Sequence, residues 1–217
     1  MARKTNIKIL KIRKLDDWKS RGFYDDKFPE YLKEDLIIRE FLQKKLLAAG
    51  IDSIDIERTS STVKIIIKSS KPGFILGRGG KGVEMLEKEL REKLFKETKG
   101  TFSKLIKIEI VEVKNPWLSA QITAQWIAFQ LEKRVPYRKA MKMALTKILE
   151  QKEVQGAKIL VSGRLNGVTI ARDEHIEHGR LPRQNYRSDI DYGFAQAHCT
   201  YGIIGVKVWI YKGEKLD

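Results

Sequence analysis

Apolar residues along the chain change period several times, and each change marks an element. Between residues 31 and 49, Ile37 pairs with Phe41 and Leu42 with Leu46 at four-residue spacing, with Glu34 and Asp35 early and Lys44 and Lys45 late. That is a helical period with charges placed to suit the helix dipole, and Gly50 stops it. The period drops to two over Ser53 to Arg58 and Thr62 to Lys68, and the second run places Val63, Ile65 and Ile67 on one face of a strand. After a short apolar turn and a glycine-rich loop, Lys81 to Lys96 returns to a helical stripe of Val83, Leu86, Leu90 and Leu94. Leu105 to Val113 alternates again, Ile106, Ile108 and Ile110 against Lys107 and Glu109. The predicted order is helix, strand, strand, short helix, loop, helix, strand.

Asn115-Pro116 marks a boundary, because Asn suits an N-cap and Pro the first helical position. A helix is expected to present Leu118, Ile122, Trp126 and Phe129 to a core, and Val135-Pro136 breaks it. A second helix turns Met141, Leu145 and Ile148 inward and places Arg138 beside Lys142 on another face. Strand patterns then follow at Ile159 to Ser162, Asp189 to Cys199 and Val206 to Tyr211, with Tyr201-Gly202 in a hairpin turn. The fold class is α+β in two domains, residues 30–113 and 116–213, the second being two helices on a small, mainly antiparallel sheet. Residues 1–29 form a basic N-terminal extension.

Charge narrows the partners. A net +15 over 217 residues suits a polyanion. Membrane fits poorly, since no run approaches the about 18 apolar residues of a spanning helix, and Ile7, Ile9, Leu10 and Ile12 are interrupted by Lys8, Lys11 and Arg13. Cys199 is the sole cysteine, which rules out an internal disulfide and suits a reducing compartment. Two stretches carry cations without acids. One is residues 1–14, with Arg3, Lys4, Lys8, Lys11, Arg13 and Lys14; the other runs from Lys133 to Lys147 through Arg134, Arg138, Lys139 and Lys142.

The loop Gly77-Arg78-Gly79-Gly80-Lys81 carries the chemistry. Its glycines remove the Cβ atoms that would hold a phosphodiester away, and Arg78 and Lys81 add positive charge. A KH module clamps about four nucleotides with such a loop. Gly77, Gly79 and Gly82 also spell the dinucleotide fingerprint, but that turn leaves a strand directly and needs an acid about 20 positions later. Here Lys71-Pro72-Gly73 interrupts the approach, and the next strand pattern begins too late. His175, His178 and Cys199 lack the paired cysteines or fourth ligand of a zinc site and read as hydrogen-bonding residues, so neither metal nor cofactor is expected. Asp189 and Asp191 read as partners of Arg187 or Arg172, with no nucleophile nearby to make an enzyme. Trp126, Phe129 and Trp209 have the spacing of core residues.

The element order, with the loop between two helices, resembles the type II KH domain of prokaryotes over residues 30–113. The second half carries Val161-Ser162-Gly163-Arg164-Leu165-Asn166-Gly167, Ile170-Ala171-Arg172, Asp189-Ile190-Asp191-Tyr192 and a closing run from Thr200 to Glu214. Together these resemble the family of bacterial-type protein three of the small ribosomal subunit, from about Trp18 onward. The resemblance implies a structural, rRNA-binding component of the subunit head in the cytoplasm. It would border the channel by which mRNA enters, beside small-subunit proteins four, five, ten and fourteen. It implies backbone contact at Gly77, Arg78, Gly79, Gly80 and Lys81. Arg138, Lys139 and Lys142 match positions tied to unwinding of structured messages, with Lys133 and Arg134 just before them. Candidate rRNA contacts are Arg3, Lys4, Lys8, Lys11, Arg164, Arg172, Arg180 and Arg183. This sequence departs from the family in its first six residues, in Gly79 where a second basic residue is common, and in Arg183 after Pro182. The rival readings are a free-standing KH regulator and, less compatible with the loop's context, a dinucleotide-binding enzyme.

Overall fold

The computed structural model describes residues 18–22, 28–59, 61–98 and 104–214, the side chain of Arg78 excepted. Arg3, Lys4, Lys8 and Lys11 therefore lie outside the described residues. The chain divides between Lys114 and Asn115 into two compact units. Among the described residues no helix is long and apolar enough to cross a membrane.

The first unit builds one sheet from β1 (Ser20–Gly22), β2 (Ile51–Arg58), β3 (Thr62–Ser69) and β4 (Leu105–Glu112), in that spatial order. β2 and β3 are antiparallel, while β1 joins β2 and β4 joins β3 in parallel. The β3–β4 crossover carries α2 (Pro72–Leu76) and α3 (Lys81–Glu97), and α1 (Phe28–Lys45) precedes the hairpin. Period-two alternation buries Val63, Ile65 and Ile67 of β3 beneath Leu42 of α1 and Leu86, Leu90 and Leu94 of α3 in one core. α1 ends at Lys45, and a single tighter turn, Leu47–Ala49, leads to Gly50 with φ +64°, the left-handed stop expected of a glycine.

Two features of this unit escape the hydrophobic pattern. β1 is only three residues long and is held by Arg39 of α1, which donates to Ser20 Oγ at 2.7 Å and to the Lys19 carbonyl at 2.8 Å. Glu34 and Asp35 do more than complement a dipole. Both are buried against Arg58, which is 5 % exposed and donates to Asp35 Oδ1 at 2.5 and 2.8 Å and to Glu34 Oε2 at 2.6 Å. A buried arginine needs such partners, because an unpaired charge there would cost several kcal/mol.

The second unit packs α4 (Ala120–Glu132) and α5 (Tyr137–Leu149) on an antiparallel sheet of β5 (Gly156–Gly163), β6 (Arg172–Gly179), β7 (Ser188–Cys199) and β8 (Gly202–Glu214), ordered β6-β5-β8-β7. β6 has no counterpart in the sequence reading. It is an edge strand reading Arg-Asp-Glu-His-Ile-Glu-His-Gly, largely exposed, so burial imposes no apolar alternation on it. Asn115 stands at the start of only a 3-10 turn, Pro116–Leu118, and its side chain makes no cap hydrogen bond; α4 starts after Ser119, whose Oγ accepts from the Ile122 amide at 3.3 Å. The buried residues of α4 are Ala120, Ile122, Thr123, Ala124, Ile127, Ala128 and Leu131, so Ile122 is buried as expected, while Trp126 is half-buried against the core and Phe129 is 47 % exposed. Small residues among the buried ones let the helix lie close to the sheet. Met141, Leu145 and Ile148 of α5 do turn inward, and Trp209 is half-buried with its ring 5.5 Å from that of Tyr192.

Candidate nucleic-acid interface

The loop between α2 and α3 divides its glycines between two tasks. Gly77, Gly79 and Gly80 have φ of +66°, +65° and +79°, backbone that side chains rarely adopt. A Cβ added at Gly79 or Gly80 would meet nothing within 4 Å, so the outward face of the loop is bare backbone open to a ligand. Gly82 faces the other way. A Cβ there would lie 2.5 Å from the Ile75 carbonyl oxygen and 2.8 Å from that of Leu76, so this glycine lets α2 and α3 close on each other. Lys81 is exposed and has no ion-pair partner among the described residues; the Arg78 side chain lies outside them.

Because β3 ends at Ser69 and α2 intervenes, the loop joins helix to helix, and the strand-to-helix turn of a dinucleotide site is not formed. Beside it runs a mainly apolar groove of about 420 Å³ lined by Pro72, Leu76, Gly80, Val83, Ile108 and Ile110, with Glu84 as its one acidic lining residue. The sequence reading set Val83 in one helical stripe with Leu86, Leu90 and Leu94, and Ile108 and Ile110 in one alternation with Ile106. The covering stripe of α3 buries Leu86, Leu90 and Leu94, and β4 is an edge strand whose later isoleucines stay half-exposed. Alternation on an edge strand running on past its helical cover is the signal for such a groove.

In the second unit the acid-free stretch resolves into distinct environments. Arg138, Lys139 and Lys142 are exposed on α5, and Lys133 and Arg134 in the preceding turn are exposed too. Arg138 is 71 % exposed along its side chain, yet its Nε and Nη2 each donate to the Glu174 carboxylate at 3.2 Å, and the Tyr137 hydroxyl donates to Glu174 Oε1 at 2.7 Å. Glu174 belongs to the unforeseen strand β6, so nothing near α5 in sequence announces it. These bonds, Arg138's first, hold the Glu174 carboxyl below its usual 4.5. Its carboxylate in turn raises Arg138, and its hydrogen bond raises the Tyr137 hydroxyl. Lys139 and Lys142 have no ion-pair partner among the described residues. Lys133 Nζ stands 4.2 Å from the centroid of the exposed Phe129 ring, and Lys147 Nζ sits between Trp117 and Trp126 at 4.8 and 5.3 Å.

The remaining candidates spread over this unit. Arg164 is exposed, with its guanidinium 5.6 Å from the Tyr201 ring, and Nε donates to the Val168 carbonyl at 2.9 Å. Arg172, Arg180 and Arg183 are exposed at the start of β6 and just beyond its end. Asp191 takes a part that the sequence did not announce: its Oδ2 accepts the Ala120 amide at 2.8 Å, an acid at a helix N-terminus. His175 and His178 lie on β6 and Cys199 on β7, the opposite edge of the sheet, so those three residues do not converge. Burial, then Glu132, push the Cys199 thiol above its usual pKa.

Comparison with known proteins bears on these surfaces. A KH domain family matches residues 37–118, and the family described as ribosomal protein S3, C-terminal domain, matches residues 127–210. The chain is 50 % identical over 217 residues to small ribosomal subunit protein uS3 of Caldicellulosiruptor saccharolyticus, covering 100 % of this chain and 94 % of that protein. It is 51 % identical, with the same coverage, to the uS3 of Caldicellulosiruptor bescii, and 47 % identical over 216 residues to that of Desulfitobacterium hafniense. The chain belongs to the ribosomal protein uS3 family. These matches bear out the family and the two-domain α+β fold read from the sequence. As a uS3 family member the protein is a structural component of the small ribosomal subunit, and its relatives bear the name of a ribosome component rather than of an enzyme.

Proposed function

We propose that this protein binds small-subunit rRNA through both units in the head of the cytoplasmic subunit, beside proteins four, five, ten and fourteen. The exposed face of α5 then borders the channel through which mRNA enters and helps open structured messages without nucleotide hydrolysis. One observation carries the second part: Lys139 and Lys142 stand exposed and unpaired by any described residue on a helix whose opposite face, Ala140, Met141, Ala144 and Ile148, is wholly committed to the core. A helix fixed in this way keeps the stems of its cations in place, so that only the side chains order on a phosphate backbone, and Arg138 extends the row one turn before Lys142. In the first unit, bare backbone at Gly79 and Gly80 admits a phosphodiester, and the groove beside it offers apolar walls to bases. Exposed Arg164, Arg172, Arg180 and Arg183 are offered to rRNA phosphates.

The test replaces Arg138, Lys139 and Lys142 together by alanine and translates one message with a downstream hairpin and one without. Subunits containing the variant should assemble and cosediment as wild type does, because surface substitutions typically cost no more than about 0.5 kcal/mol each. Only the structured message should slow. Equal slowing of both messages, or exclusion of the variant from the subunit, would refute the placement of this helix.

A further inference from the structure

Two stretches that carry the family signature, residues 161–167 and 200–205, meet, and apart from Arg164 and its neighbour Tyr201 they have no role in the surfaces described so far. The 3-10 turn Leu165–Gly167 after β5, the hairpin turn at Thr200 and Tyr201 between β7 and β8, and the α4–α5 turn around Arg134 enclose a cleft of about 410 Å³. That volume falls within the range of roughly 300–1,000 Å³ typical of small-ligand sites. Leu131, Val135, Leu165 and Ile204 supply apolar walls, Arg134 and Arg164 supply charge, and no residue lining the cleft is acidic.

Two further observations distinguish this place from a packing defect. Arg134, at φ +62°, and Asn166, at φ +56°, are the non-glycine residues with left-handed backbone among those described, and both line this cleft. Such backbone is costly away from glycine and gathers at ligand sites. Tyr201 is 59 % exposed although its ring is braced: a Cβ at Gly167 would come within 2.8 Å of it, and the Arg164 guanidinium lies over it, tied to the Val168 carbonyl. A fixed aromatic ring beside a fixed guanidinium plane is a platform on which an unstacked base settles. The Asn166 amide offers a donor and an acceptor to a base edge.

We propose that this cleft seats a single RNA nucleotide turned out of its strand, with the base against Tyr201 and Arg164 and the phosphate at Arg134. RNA fits better than an acidic peptide, because a peptide would use the cations and leave the aromatic platform idle. The inference rests on the reading of this protein as an rRNA-binding component, and it needs nothing from the messenger-facing helix.

The test titrates adenosine 5′-monophosphate and, separately, inorganic phosphate onto the full-length isotopically labelled chain and follows the backbone amides of Asn166, Gly167, Tyr201 and Gly202. The nucleotide should shift all four and phosphate should leave Gly167 and Tyr201 in place. Tyr201→Phe should bind as wild type, while Tyr201→Ala should bind about tenfold more weakly, the loss expected of one stacked base. Arg134→Gly is the second variant: glycine suits that backbone, so the fold is safe, and loss of the cation should still weaken binding. Silent amides, equal shifts with phosphate alone, or unchanged affinity in Tyr201→Ala would each overturn the proposal. Those failures leave the hairpin-message experiment untouched, since it reads Arg138, Lys139 and Lys142.

Discussion

At Gly79 and Gly80 an added Cβ would meet only open space, whereas on α5 the outward surface consists of long cationic side chains standing over a closed core. The KH unit offers RNA a strip of backbone made accessible by what is missing; the S3-type unit offers charge carried on what has been added. The first device depends on geometry behind it, because the loop keeps its shape only while α2 and α3 approach through Gly82. The second depends on little behind it. Binding and stability should therefore be hard to separate around the loop and easy to separate on the helix.

The largest effect should come from Gly82→Val, which drives a branched side chain against the Ile75 and Leu76 carbonyls. Overpacking against backbone has no cheap relief, and a loss of about 3 kcal/mol is expected in urea unfolding, with RNA binding falling as the loop distorts. Lys142→Ala, measured alongside, should stay within about 0.5 kcal/mol. If both variants unfold at the same midpoint, the contrast between the units fails.

Next in size is the double replacement of Arg78 and Gly79 by Asp, which sets two negative charges where a phosphate is to lie. Single-stranded RNA should bind at least about tenfold more weakly at low salt. Unlike a substitution on α5, this one also costs roughly 1 kcal/mol of stability, since Gly79 sits at φ +65°. Unchanged affinity would mean that the bare strip is not where RNA approaches.

A finer separation comes from salt. Removing one phosphate-bound cation from α5, as in Lys142→Ala, should lower the slope of log affinity against log salt by about 0.7 on single strands. Gly79→Ala should weaken binding while leaving that slope unaltered, because it blocks an approach and releases no counterion. Parallel loss of slope in both would show that the loop too acts through charge.

The sequence made legible whatever burial enforces by period. Val63, Ile65 and Ile67 on β3, Leu86 to Leu94 on α3 and Met141 to Ile148 on α5 lie where alternation and helical spacing put them. It hid what tertiary contact alone supports. β1 is held by Arg39 reaching back to Ser20, and β6 by backbone pairing with β5 from Arg172 to Gly179, while most of its side chains, Glu174 and Ile176 excepted, face solvent. Losing β6 also hid Glu174, and so the carboxylate that meets Tyr137 and Arg138 of the cationic helix. On α4 the expectation held for Ile122, which is buried, and for Trp126, which packs against the core, but not for Phe129: large apolar residues draw the eye, while the core takes Ala120, Ala124 and Ala128 and leaves Phe129 outside. At the loop, the spacing of glycines was plain, while the division of labour between Gly79 and Gly82 required coordinates.

The smallest expected effect concerns Glu174, where the side-chain surface does acquire a support. Glu174→Gln keeps an acceptor for the Tyr137 hydroxyl but removes the charge that aligns Arg138. RNA affinity should rise slightly, by no more than about twofold, because the guanidinium no longer divides its attraction between a carboxylate and a phosphate. The effect should vanish in an Arg138→Ala background, which distinguishes action through Arg138 from a general change in surface charge. Acid offers an independent check. The folded-state pKa of Glu174 lies below its usual 4.5, so the ionised carboxylate stabilises the fold above that value and the contribution is lost as pH falls through the lowered one. The difference in melting temperature between wild type and Glu174→Gln should thus hold steady from neutral pH to about 4.5 and close below it. A difference that persists unchanged into stronger acid would mean that shape rather than charge at Glu174 supports the helix, and α5 would then present its cations with no more electrostatic help than the bare loop has.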